Sequence, residues 1–210
     1  MKKLVFLLVL VAIASFAANS VMHEGSMPIN AHPQPAAFNE FYWDDGILAN
    51  GWAWYTGGNY WAVQFDDTLT GDTAGHINQL GAVTYPGWPE NTYIGAYLHI
   101  YDDIGDYPGS SVAYEYIGFT GTGDFEWVDG FDYAISTGTF YIAFEQYGDY
   151  PADNPDSMAV DAASGTHNWT GYQGSWANTT SYGDFMLRCY WEEGSAVVDS
   201  TWGAVKGLYE

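Results

Sequence analysis

The chain has 210 residues, 26 of them acidic and 4 basic, for a formal net charge of −22, and 19% of its residues are aromatic. So acidic a surface repels nucleic acid and anionic lipid, while the wealth of aromatics excludes the disordered kind of acidity. Cys189 is the single cysteine, which excludes an intrachain disulfide and leaves stability to the core, to bound ions or to assembly.

The opening stretch, "MKKLVFLLVLVAIASFA", reads as a secretory signal. Lys2 and Lys3 supply the positive start, Leu4 to Ile13 the apolar run, and Ser15 and Ala17 the small residues of a cleavage site after Ala17. The apolar run is short for a membrane span and ends in small residues, so an uncleaved anchor is disfavoured. The expectation is a secreted, extracellular or cell-surface protein with no membrane insertion after signal cleavage. Residues 1–17 are the signal, 18–37 an extended, proline-containing arm, 38–193 the folded domain and 194–210 a C-terminal tail.

From Phe38 onward, short aromatic and β-branched runs alternate with Gly, Asp, Asn and Pro, the pattern of an all-β protein. Strands are predicted near Phe38–Trp43, Trp52–Thr56, Tyr60–Phe65, Ile77–Tyr85, Tyr93–Tyr101, Val112–Phe119, Phe125–Val128, Thr139–Gln146, Ser157–Asp161, Trp169–Trp176 and Phe185–Trp191. In "TFYIAFEQ", Phe140, Ile142 and Phe144 fall on one face and Tyr141, Ala143 and Glu145 on the other. In "DFMLRCYW", Phe185, Leu187, Cys189 and Trp191 share one face, which makes Cys189 a small core residue. Arg188, on the other face, is expected to pair with a carboxylate such as Glu145. The tail "DSTWGAVKGLYE" is the one helical candidate, with Trp202, Val205 and Tyr209 at helical spacing and two glycines weakening it. The fold predicted is a single β-sandwich, jelly-roll-like, with the extended arm before it and a short tail or helix after it.

"GDYP" occurs at Gly105–Pro108 and again at Gly148–Pro151. Glycine, aspartate and proline suit a turn that ends a strand, so the preferred reading is one turn chemistry used twice. The functional alternative is calcium, since Asp102, Asp103 and Asp106 cluster near the first copy and Asp149, Asp153 and Asp156 near the second. Neither loop has EF-hand spacing.

The stretch "YWDDGILANGWAWYTGGNYW" supplies the candidate binding aromatics: Trp43, Trp52, Trp54, Tyr55, Tyr60 and Trp61. Those that point outward are suited to stacking on sugars or anchoring a protein contact. No nucleophile elbow and no H-x-x-x-H pair is present. "SVAYEYIGF" resembles the nucleophile strand of the small jelly-roll xylanases, which nominates Glu115. Their acid/base glutamate precedes a Gly-Tyr-Gln, and here Thr170 stands in that place, where it cannot serve as a general acid.

A broader resemblance runs through "YWDDG", "GGNYWAVQF", "YLHIYDDIGDYPGS", "FEWVDG", "GTFYIAFEQ", "MAVDA", "GSW" and "GDFMLRCYW". In that order these segments are similar to a β-sandwich domain of large secreted bacterial proteins, found beside peptidases or ahead of C-terminal sorting regions. The resemblance implies a non-catalytic accessory or adhesive domain with no catalytic residues to carry over. The expected function is therefore structural or adhesive, through contacts with copies of itself or with other extracellular proteins, the arm adding a strand to a neighbour's sheet edge. A carbohydrate-binding module acting on polysaccharide is the alternative, and a jelly-roll glycosidase using Glu115 the third reading.

Overall fold

The computed structural model describes residues 20–28, 39–66, 75–88, 94–135, 138–162, 165–180 and 183–193. The signal, the helical tail candidate and most of the expected arm lie outside these residues. The described chain is all-β, with antiparallel sheets and no helix.

Its strands in chain order are β1 (Ser20–Pro28), β2 (Asn39–Phe41), β3 (Ile47–Trp54), β4 (Tyr60–Phe65), β5 (Gly75–Ala82), β6 (Ala96–Asp103) and β7 (Pro108–Ile117). They continue with β8 (Glu126–Ile135), β9 (Phe140–Gln146), β10 (Met158–Asp161), β11 (Asn168–Tyr172), β12 (Ser175–Asn178) and β13 (Leu187–Glu193). Six form one sheet in the order β12-β11-β4-β9-β6-β7; the others make a three-stranded sheet, β1-β3-β10, and a four-stranded sheet, β2-β13-β5-β8. The two smaller sheets are stitched together through the backbone: Ala159 N–H donates to Val83 O at 3.1 Å and Met186 N–H to Ala159 O at 3.0 Å.

Three expectations change. Residues 20–28, expected as part of a free arm, form β1 on the edge of β3, with Val21 opposite Ala53. The strand expected over Trp169–Trp176 is a hairpin, because Gln173 and Gly174 take positive φ values of 49° and 79° and fold β12 back on β11. The strand expected to end at Val128 runs on to Ile135 through Gly130, whose φ of 97° needs glycine.

One apolar cluster draws on all three sheets, with Trp61 and Phe65 from β4, Leu98 and Ile100 from β6, Trp52 and Trp54 from β3, and Leu187 and Cys189 from β13. Rings link the sheets directly. Phe140 of β9 stacks on Trp191 of β13 at 5.7 Å and 5°, and Trp54 of β3 meets Trp61 of β4 at 5.4 Å. Cys189 is a core residue as expected, and burial pushes its thiol up.

Two polar devices hold this apolar packing in place. The Gln146 side chain is fully buried and acts as a piece of backbone. Trp54 N–H donates to its Oε1 at 2.7 Å, and its Nε2 donates to Trp54 O at 2.7 Å and Gly148 O at 2.8 Å. It therefore clamps the end of β3 to β9. Arg188 is also buried, and it does not pair with Glu145 as expected, because β13 and β9 belong to different sheets. Its Nε donates to Asp44 at 2.9 Å, its second terminal nitrogen also reaches Asp44, and the first donates to Glu40 at 2.8 Å. The guanidinium lies over the Phe125 ring at 4.1 Å and the Tyr42 ring at 4.4 Å. Burial alone works against its charge, and the Asp44 and Glu40 carboxylates reverse that effect.

Candidate functional site

The outward face of the six-stranded sheet follows from strand parity. With Trp61, Val63, Leu98, Ile100, Ile142 and Phe144 turned into the core, their neighbours in sequence must turn away from it. The register brings these outward residues together: Tyr60 and Tyr97 both lie opposite Glu145, Ala62 and His99 opposite Ala143, and Tyr101 opposite Tyr141. At one edge Tyr114 and Tyr116 of β7 pair with His99 and Tyr97. At the other edge Trp176 of β12 pairs with Gly171. The Trp176 ring lies flat over that glycine, where a Cβ would come within 2.9 Å of it.

The small residues Ala62 and Ala143 at the centre let the rings close over them, giving a second cluster with Tyr101 and Tyr141. From there ring contacts run to both edges. Trp176 lies 5.6 Å from Tyr60, Tyr60 lies 5.6 Å from His99, and His99 stacks on Tyr114 at 5.3 Å. Tyr97 then meets Tyr114 at 6.0 Å, Tyr116 at 5.5 Å and Tyr147 at 6.3 Å. Tyr114, Tyr116 and Tyr147 keep 61%, 50% and 56% of their surface open, so this end of the run is reachable.

A polar chain is set among the rings. The Tyr101, Tyr60 and Glu145 side chains interact with one another along this line. Burial, and then the neighbouring phenol and carboxylate, push the Tyr101 hydroxyl up, so it stays a donor. His99 Nε2 lies 2.8 Å from Glu145 Oε2, and its Nδ1 lies 2.9 Å from Ser111 Oγ. A carboxylate only accepts, so Nε2 carries a proton toward Glu145, while Nδ1 faces the Ser111 hydroxyl. Beside this chain, Tyr141 donates to Asp103 at 2.8 Å.

The aromatics expected as surface candidates divide. Trp52, Trp54 and Trp61 are buried in the core, which corrects their reading as binding residues. Each lies on the inward side of its strand, and Trp54 and Trp61 face one another there. Tyr60 belongs to the outer face. Trp43 is half-buried, stacks on His167 at 3.8 Å and donates from Nε1 to Gln64 O at 2.8 Å. Tyr55 is exposed beside Tyr150.

The aspartates expected as calcium ligands serve the backbone instead. Asp102 accepts from Ser110 N–H, Asp103 from Gly105 N–H and Tyr141, and Asp149 from Gly57 N–H. Asp153 accepts from Asp149 N–H, and Asp156, buried, from Gly95 N–H. Asp106 is exposed, with φ 65°. The two GDYP turns do leave neighbouring strands, β6 and β9, but those strands are antiparallel, so the turns sit at opposite ends of the sheet. Among the described residues no group of three or more histidine, cysteine, aspartate or glutamate side chains is arranged to hold a metal ion.

Glu115 is exposed on β7, opposite Leu98. Thr170 lies on β11, its hydroxyl donating to Ala177 O at 3.4 Å. With β4, β9 and β6 between these strands, the two positions are separated by about 19 Å at ~4.8 Å per strand. Glycosidase carboxylates stand only about 5–9.5 Å apart, so this pair of motifs does not build such a site. A cavity of about 450 Å³ opens between Gln79, Ile117, Phe125, Glu126, Trp127 and Asp129. Glu126 there is occupied by the Thr120 and Gly121 N–H groups, and Asp129 by Gln79.

Sequence reasoning missed Tyr97, Tyr114, Tyr116 and Trp176. The signal was available in "YLHIY" and "YEY", where every second residue is Tyr or His. Comparisons with family models, with curated proteins and with solved structures gave no match to this chain.

Proposed function

We propose that the chain is a secreted, non-catalytic adhesive module, a jelly-roll-like β-sandwich that holds an extracellular partner on the outer face of its six-stranded sheet. The observation that carries this reading is the unbroken run of rings from Trp176 to Tyr114, with a hydrogen-bonded polar chain along it. Aromatic residues of this kind supply large contact area at small entropic cost and form the anchors of recognition surfaces. The resemblance to accessory domains of large secreted proteins points the same way. Strand addition by the arm is less favoured, because residues 20–28 already occupy the edge of their own β3.

The test is retention of the purified protein on insoluble cell-envelope material. Replacing Tyr114 and Tyr116 together by alanine is expected to weaken retention roughly tenfold or more, as loss of interface anchors does. Tyr55→Ala, exposed but off this face, leaves it intact. Equal retention of all three proteins refutes the reading.

A further inference from the structure

The geometry points to an uncharged polysaccharide as the partner held on this face, an inference that rests on the adhesive reading above. Three independent features select it.

The first is shape. The ring contacts run from the β12 edge to the β7 edge, across all six strands of the sheet. At ~4.8 Å per strand the run spans about 24 Å, with open rings at the β7 end (Tyr114 and Tyr116), the half-buried Trp176 at the β12 end, and His99 and Tyr101 buried between them. A standard protein interface is a broad patch of about 800 Å² per partner. Reachable rings standing at both borders of the sheet, rather than gathered in one patch, fit a linear polymer instead.

The second is chemistry. A pyranose ring has an apolar C–H face and a rim of hydroxyls that both donate and accept. Tyr114 and Trp176 offer flat apolar faces at the two ends of the run. Between them lie oxygens of Glu145 and Ser111 that can accept hydrogen bonds. Because Glu145 is already fixed by His99 and Tyr60, it presents its charge in one geometry without reordering.

The third is charge. The chain carries a net −22, and the face itself holds the carboxylates of Glu145 and Asp103 with His99 as its basic partner. Single-stranded nucleic acid also stacks on aromatic rings but needs a cationic groove for its phosphates. Uronate-rich or sulfated polymers meet the same repulsion, and so does a second copy of this chain. A neutral glycan does not.

The experiment is affinity electrophoresis of the full mature chain in native gels containing hydroxyethylcellulose, xylan, mannan or laminarin, with alginate as the anionic comparison. At least one neutral polymer is expected to retard the protein, equally at low salt and at about 0.5 M NaCl, where long-range charge effects are screened. Alginate is expected to have no effect. Tyr114→Ala is expected to weaken the retardation roughly tenfold, and Trp176→Phe to abolish any ligand-induced change in tryptophan fluorescence while largely keeping binding. Thermal melts establish that each variant is folded. If none of the neutral polymers retards the protein while envelope retention still depends on Tyr114 and Tyr116, the glycan inference is overturned and the adhesive reading stands. Retention that is abolished by salt and restored by a basic protein ligand likewise overturns it. If retention is indifferent to these tyrosines, both fall.

Discussion

Replacing Gln146 by leucine isolates what one buried amide contributes to joining the sheets. The two side chains are similar in size, so packing is nearly conserved and the change removes hydrogen bonds. Three are lost, to Trp54 N–H, Trp54 O and Gly148 O. At a net value of about 1 kcal/mol each, the loss is about 3 kcal/mol, and more where a backbone group is left dry. For a domain of this size each kcal/mol moves the melting temperature by about 2–4 °C, so a fall of about 6–12 °C is expected by circular dichroism. Gln146→Glu adds a second reading: above the carboxyl's titration it keeps the acceptor for Trp54 N–H but sets a charge against two carbonyls, and it is expected to be worst at high pH. A Gln146→Leu protein melting within about 1 °C of wild type would refute the clamp, since that shift corresponds to less than one hydrogen bond.

Three further outcomes follow from the same structure. Burial pushes the Asp184 carboxyl up to about 7, with the Asp161, Asp44 and Asp45 charges adding to the effect, and burial also raises Asp156 to about 7. A native state that binds these protons more tightly than the unfolded chain, whose carboxylates titrate near 3.8, loses stability as pH rises from about 4 to about 7. Asp184→Asn is therefore expected to flatten the pH dependence of urea denaturation and to exceed wild type at pH about 8; an unchanged profile contradicts this assignment. Arg188→Met leaves the Asp44 and Glu40 carboxylates without the guanidinium that joins them, and is expected to cost about 3–5 kcal/mol in urea melts, where a loss below about 1 kcal/mol would show the pairing to be idle. Trp61→Ala is expected to cost about 3–5 kcal/mol as a core truncation, whereas Tyr114→Ala, on the open face, costs less than about 1 kcal/mol; similar losses at both sites would overturn the division between core and face.

The strands were most legible where both faces of the chain had distinct environments. Tyr60–Phe65 was predicted at its observed bounds, and Thr139–Gln146 differs by one residue, because large apolar residues alternate there without a break. The strand β1 was illegible because "SVMHEGSMP" has no period of two. The β11–β12 hairpin hid in a stretch with aromatics at Trp169, Tyr172 and Trp176, where only Gln173-Gly174 marks the turn. Arg188 was correctly singled out as a paired cation, but its partners lie 144 and 148 residues away, beyond what pattern can fix. The aromatic site was misplaced for a related reason. The densest run of tryptophans marks the core, since Trp52, Trp54 and Trp61 sit where three sheets meet. The outer face is assembled from rings on β4, β6, β7 and β12, and only the register brings the separate strands' rings together.

The strands β12 and β7 are the two borders of the six-stranded sheet, and the run of rings reaches both. Among the described residues, no further strand of this sheet closes the run at either border. If the face holds a polysaccharide as proposed, it would read the interior of the polymer and not its termini, so the affinity for oligomers should climb with length until the sheet is crossed and then level off. Beyond that length, each added stretch of polymer offers a fresh seat to another molecule. Many copies would then decorate one strand side by side, spaced by their mutual charge, and the proposed partner would carry the protein as a coat.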